Sequence, residues 1–114
     1  MFIGKEYRRN EYNCAHYVAD WYRVRKRIEI PVISVFDRSF IVWLRKHFRP
    51  VVKPGNDDLV LMVNSDGSYH IGVYFNHGVF HNFEPEYGSG SVCKWTMSSV
   101  KKYYKEVRFY KWSE

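Results

Sequence analysis

The pattern of apolar and polar positions changes period once along the 114-residue chain. In the first half the period is helical. Ala15, Val18, Ala19 and Tyr22 recur at i, i+3, i+4 and i+7. That spacing lays one apolar stripe along a helix from about Asn13 to Arg27. Asn13 suits the N-cap, because its side-chain oxygen can accept a first-turn backbone N–H that has no partner inside the helix. Ile28 to Ser34 contains Pro31 and reads as an extended connector. Asp37 then caps a second helix to about His47, with Phe40, Ile41, Leu44 and Phe48 as its apolar face. Pro50 and the run Lys53-Pro54-Gly55-Asn56-Asp57 end that helix and turn the chain.

From there the period is two. Leu59 to Val63 is a short apolar run, as expected of a buried strand, and Asn64-Ser65-Asp66-Gly67 is a turn signal. Tyr69 to Phe75 alternates, with Tyr69, Ile71, Val73 and Phe75 on one face and His70, Gly72 and Tyr74 on the other. Asn76-His77-Gly78 predicts a tight turn, and Val79 to Phe83 the second arm of a hairpin. Pro85 to Ser91 reads as a Gly/Ser loop, Ser91 to Trp95 as a strand, Met97 to Lys105 as a short helix and Glu106 to Trp112 as a closing strand. Helices followed by antiparallel strands predict an α+β fold, with the N-terminal helices packed on a small sheet.

Composition narrows the class. Hydrophobic residues are 46% of the chain and aromatics 19%. This is enough for one packed core and predicts a single domain over residues 1–114. No run approaches a membrane span, and no apolar stretch follows the charges near Met1, so no signal peptide is expected. The expected place is the cytoplasm, or wherever a route not written in the chain delivers the protein. Cys14 and Cys93 make no disulfide framework, and the five histidines include no helical i, i+4 pair, so neither a metal nor another cofactor is expected. The formal charge is +6, with pI near 9.4. Such a surface favours anionic partners, whether nucleic acid, lipid headgroups or cell-wall polymers, although solvated helix faces and helix C-terminal charges account for it slightly better. No nucleic-acid-binding motif is present, and that partner is not expected.

The chemistry gathers around Tyr12-Asn13-Cys14-Ala15-His16. Cys14 falls at the first helical position, where free N–H groups and the helix dipole favour an anion. Those effects predict a lowered thiol pKa and a reactive thiolate. A cysteine nucleophile needs a base, and the base needs a group to orient its ring. His70 is the candidate base, because it interrupts the polar face of an otherwise apolar strand and has Gly72 beside it. Hairpin parity supplies the third group. A two-residue loop, His77-Gly78, sets His81 opposite Tyr74 and on the face of His70. A three-residue loop sets Asn82 there instead. The shorter loop is the commoner one and favours His81. The oxyanion donors are the backbone N–H of Cys14, free at the helix start, and a side chain of the lead-in such as Tyr12. His16, two residues from Cys14 on the helix, points around the axis and reads as structural. His77 reads as a turn residue, His47 as a helix-end residue and Cys93 as structural or incidental.

Four segments then occur in order: Asn13-Cys14-Ala15-His16-Tyr17-Val18, Gly55-Asn56-Asp57-Asp58-Leu59-Val60, His70-Ile71-Gly72-Val73-Tyr74-Phe75 and Gly78-Val79-Phe80-His81. Together, over roughly residues 7–112, they resemble the NlpC-type cysteine peptidases of the papain-like superfamily. The resemblance implies a papain-like fold, with Cys14 as nucleophile, His70 as base and His81 as the orienting residue. It implies cleavage of peptide or amide bonds in bacterial cell-wall stem peptides, in phage tails or in cell-wall remodelling systems. The nucleophile segment is also similar to the Asn-Cys-x-His-Phe-Val motif of the lecithin:retinol acyltransferase-like branch. There the histidine precedes the cysteine, whereas here it follows. Asn56-Asp57 is an insertion relative to the Gly-Asp-Leu pattern. The expected activity is a thiol hydrolase acting on a peptide or cell-wall polymer. The alternatives are a thiol acyltransferase or lipid hydrolase with the same triad, and a catalytically idle structural or binding version such as a virion component.

Overall fold

The computed structural model describes residues 3–8, 12–86 and 89–113. Nine elements follow one another: α1 (Cys14–Lys26), α2 (Phe40–His47), β1 (Phe48–Val51), β2 (Leu59–Val63), β3 (Tyr69–Phe75), β4 (Gly78–Glu86), β5 (Ser89–Thr96), α3 (Met97–Tyr103) and β6 (Glu106–Trp112). Among the described residues these are three helices and one six-stranded antiparallel sheet, in the order β1-β6-β2-β3-β4-β5. The fold is α+β, as the change of period predicts.

The strands alternate between two apolar clusters, one on each face of the sheet. Leu59, Leu61, Ile71 and Val73 pack with α1, while Val60 and Met62 pack with Val100 and Tyr104 beneath α3. The stripe of α1 is wider than Ala15, Val18, Ala19 and Tyr22. Tyr17 and Trp21 are buried as well, and Ala19 only half-buried. Burying a large aromatic removes roughly 150–250 Å² from water, worth about 4–6 kcal/mol at most before entropy is counted. A 13-residue helix is marginal on its own, so these rings hold α1 in place more than its own propensity does.

A turn ahead of β2 fastens the same helix. The Asp57 carboxylate accepts from Trp21 Nε1 at 2.8 Å and from Arg25 Nε at 3.0 Å, while its carbonyl accepts from the Tyr22 hydroxyl. Asp58 is buried and accepts from Gly55 N at 2.7 Å and from Lys111 Nζ at 3.3 Å. The inserted Asp57 is thus a structural clamp between α1 and the sheet.

Four local expectations are corrected. Ser39, not Asp37, is the N-cap residue of α2; Asp37 accepts from Ser39 N and Oγ in the preceding turn. Phe48 and Pro50 lie in β1, where a helix face and a chain break were expected. Pro50 is tolerated because β1 is an edge strand paired only with β6. The expected loop over 85–91 is largely strand, since β4 runs to Glu86 and β5 begins at Ser89; residues 87 and 88 lie outside the described residues. Helix α3 stops at Tyr103 rather than Lys105.

The segment before α1 closes the other edge of the sheet. Gly4 N donates to Val92 O, Val92 N to Lys5 O and Tyr7 N to Gly90 O, each at 2.9 Å. Among the described residues no helix is long and apolar enough to cross a membrane.

Candidate active site

Asn13 caps α1 as its chemistry requires. Its Oδ1 accepts from Ala15 N at 3.0 Å and His16 N at 3.2 Å. His16 completes a capping box, its Nδ1 accepting from Asn13 N at 3.3 Å, so its role is to close the helix start. Cys14 is the first residue of α1, with its own backbone N–H and those of Ala15 and Ile71 against the sulfur. These groups favour the thiolate. Burial outweighs them: Cys14 is 4% exposed, and its thiol is pushed up to about 11. The lowered thiol pKa expected from the helix start is therefore corrected. Helix-start N–H groups act on a charge that has already lost its water.

The cover is the segment between α1 and α2. Val35 and Phe36, together with Tyr7, stand between two hollows that meet at Cys14. One hollow, of about 100 Å³, is lined by Cys14, His70, Tyr69, Phe83, Glu84 and Tyr104 among others. The other, of about 220 Å³, is lined also by Val32, Ser34 and His16. Val35 is itself buried, whereas Phe36 stays exposed.

His70 and His81 are brought together. His70 Nε2 and His81 Nδ1 lie 2.8 Å apart, with the rings nearly perpendicular. The hairpin that pairs them differs from both expected loops. Phe75 pairs with Gly78, Tyr74 with Val79 and Val73 with Phe80, so the turn residues are Asn76 and His77, both with positive φ. That register is two residues away from the favoured one. An even shift leaves parity unchanged, so His81 keeps the face of His70 but lies beside Gly72 rather than Tyr74. The space left by Gly72 is filled by His81: a β-carbon there would sit 2.9 Å from His81 Cβ.

Both imidazoles are held neutral at neutral pH, and the charge that either would carry after protonation opposes protonation of the other. Burial and the charge of His81 lower His70 well below its ordinary value, and burial alone lowers His81 to about 4. Tyr104 stacks on His70, and Trp95 and Phe83 pack on His81. These aromatic walls were not anticipated. Their only signal is the density of rings in Trp95, Tyr103 and Tyr104, which periodicity does not separate from core. Cys93, paired with His81 across β4 and β5, has Sγ 3.9 Å from His81 Nε2.

Asn82 takes the opposite face. It is fully buried, donates from Nδ2 to Tyr12 O at 2.8 Å, and leaves Oδ1 without a partner among the described residues. It ties β4 to the residue before the N-cap. The Tyr12 side chain lines a separate hollow with His16, Asp20 and Arg23, away from the cavity holding Cys14 and His70. His77 lies in the hairpin turn, and His47 ends α2, stacked on Trp112.

Among the described residues no three His, Cys, Asp or Glu side chains converge as metal ligands would. The arrangement offers a thiol, two neutral imidazoles in series and backbone N–H groups around one small cavity. No protein-family model matches the chain, and no curated protein matches it.

Proposed function

We propose that this protein is a thiol hydrolase, a peptidase or amidase of papain-like, NlpC type, with Cys14 as nucleophile, His70 as base and His81 as the group that orients His70. One observation carries the reading: Cys14, at the start of α1, and His70, with His81 held 2.8 Å from it, line the same cavity. The order of the four sequence segments supports the same assignment.

The protonation states set the mechanism. With the thiol pushed up to about 11 and His70 lowered well below its ordinary value, the resting pair is S–H and neutral imidazole rather than thiolate and imidazolium. His70 Nε2 is engaged with His81, so Nδ1 is the nitrogen left to take a proton. As Sγ attacks an amide carbonyl, its proton moves to His70 Nδ1, and the oxyanion forms beside the Cys14 N–H. The imidazolium then protonates the leaving amine and the C–N bond breaks. Water loses a proton to His70, attacks the thioester and frees the thiol. The substrate class is an amide bond of a peptide, with stem peptides of bacterial cell walls as the first choice and a phage virion as one setting.

A second reading is an idle, structural or binding version of the fold. It is favoured by the neighbours of the buried Cys14 thiol, which are backbone N–H groups rather than the His70 ring.

Alkylation of Cys14 by iodoacetamide in a Cys93→Ser background separates the two. A working base gives a rate that stays level across neutral pH. His70→Ala then loses roughly 10²–10⁴-fold at pH 7 and rises tenfold per pH unit, as expected of a thiol with a pKa of about 11. Identical profiles in both proteins would establish the idle version. Release of amines from cell-wall peptides, abolished by Cys14→Ser, tests the hydrolase directly.

A further inference from the structure

We propose that Cys93 is a positioning residue that selects the tautomer of His70, an inference that rests on the hydrolase reading for its consequence but not for its geometry. The relevant groups form a string across three strands. His70 on β3, His81 on β4 and Cys93 on β5 are linked as His70 Nε2, His81 Nδ1, His81 Nε2 and Cys93 Sγ, with separations of 2.8 Å and 3.9 Å.

Each neutral imidazole carries one ring proton, and only one proton fits between His70 Nε2 and His81 Nδ1. Two arrangements satisfy the string. In the first, His70 Nε2–H donates to His81 Nδ1, His81 carries its proton on Nε2, and Cys93 Sγ accepts. His70 Nδ1 is then bare and able to act as a base. In the second, the Cys93 S–H donates to His81 Nε2, His81 Nδ1–H donates to His70 Nε2, and His70 carries its proton on Nδ1. That tautomer has no lone pair to offer a thiol. The group at position 93 therefore decides between a competent and an incompetent base, two bonds away from the cavity.

The first arrangement is the one the hydrolase reading requires, because only there does His70 keep a bare Nδ1. Cys93 itself is half-buried and pairs with His81 in register, so the contact is built into the β4–β5 ladder rather than left to a loop.

The test is the ring ¹⁵N NMR spectrum of histidine-labelled protein at neutral pH. The wild type is expected to show His70 protonated on Nε2 and bare on Nδ1. Cys93→Val keeps the bulk and the strand preference but removes the acceptor; it is expected to give averaged ring signals for both histidines. Cys93→Ser restores a polar partner and is expected to restore the wild-type pattern. A backbone amide spectrum of each variant checks that it is folded. Alkylation of Cys14 at pH 7 is expected to fall roughly two- to tenfold in Cys93→Val, in proportion to the competent tautomer. Ring signals that are the same in wild type and Cys93→Val overturn the proposal, whatever His70→Ala does to Cys14. Ring signals that shift as expected, in a protein whose Cys14 ignores His70, uphold tautomer selection and remove the hydrolase reading instead.

Discussion

Gly72 and His81 share one volume. A β-carbon at Gly72 would lie 2.9 Å from His81 Cβ and 2.7 Å from the Phe80 carbonyl oxygen. The glycine is needed for space, since its φ lies outside the left-handed region. Gly72→Ala must therefore push β4 away from β3. A loss of about 1–3 kcal/mol is expected from urea denaturation, together with loss of the His70–His81 contact in ring ¹⁵N spectra. Full retention of both would mean that the strands can part without moving the histidines.

Asn82 anchors the chain just ahead of the α1 N-cap. Asn82→Ala removes its bond to Tyr12 O and also the unpartnered Oδ1, so the expected cost is about 1–2 kcal/mol. Asn82→Asp puts a carboxylate in the same buried place, beside a carbonyl oxygen. It is expected to be the worse variant at pH 8, by several kcal/mol. Its buried pKa is raised, so the gap between the two variants narrows as pH falls from 8 and is closed by about pH 4, where the unfolded carboxyl is protonated too. Chemical denaturation at the two pH values checks the order.

The buried imidazoles make stability depend on pH. His81 is lowered to about 4, against about 6.5 in an unfolded chain. Between those values the unfolded state binds a proton that the folded state refuses. Stability therefore falls as pH drops from about 6.5 and levels below about 4, with a loss on the order of 3 kcal/mol from His81. His70 is shifted the same way and adds to it. His81→Gln is expected to flatten this part of a stability profile measured by urea titration. An unchanged slope would place the protons elsewhere.

Val35 lines both hollows that meet at Cys14. Trimming it to alanine costs about 1–2 kcal/mol in lost burial and widens the opening between the two hollows. Val35→Ala is expected to speed alkylation of Cys14 several-fold at pH 7 while leaving the effect of His70→Ala in place. An unaltered rate would show that reagents reach the sulfur by another path.

What could be read from the chain was what is decided locally. Asn13 as cap and Cys14 as first helical residue follow from side-chain chemistry within one turn, and β2, β3 and β6 lie between turn signals that bound them closely. The face of His81 was legible because parity survives an error in loop position. β1 was not, since Phe48 fits the apolar face of α2 and its strand character comes from pairing with Trp112, far away in sequence. The thiol of Cys14 was misjudged for a similar reason. The hollows beside it are lined in part by Val35 and Phe36, in a segment with no period to say where it would lie. Cys93 looked incidental because its partner is fixed by the β4–β5 register, across a span that reads as a loop.

The strand-like run at residues 4–7 has a bearing on how this protein behaves among its own copies. A sheet ends in rows of unused N–H and C=O groups that invite another chain to pair. At β1 the invitation is blunted by Pro50 and by the charge of Arg49. At β5 it is answered from within, by Gly4, Lys5 and Tyr7. A protein lacking residues 1–8 would expose that row and is expected to self-associate, seen as a concentration-dependent rise in light scattering. The segment ahead of Cys14 would then serve solubility as well as the fold.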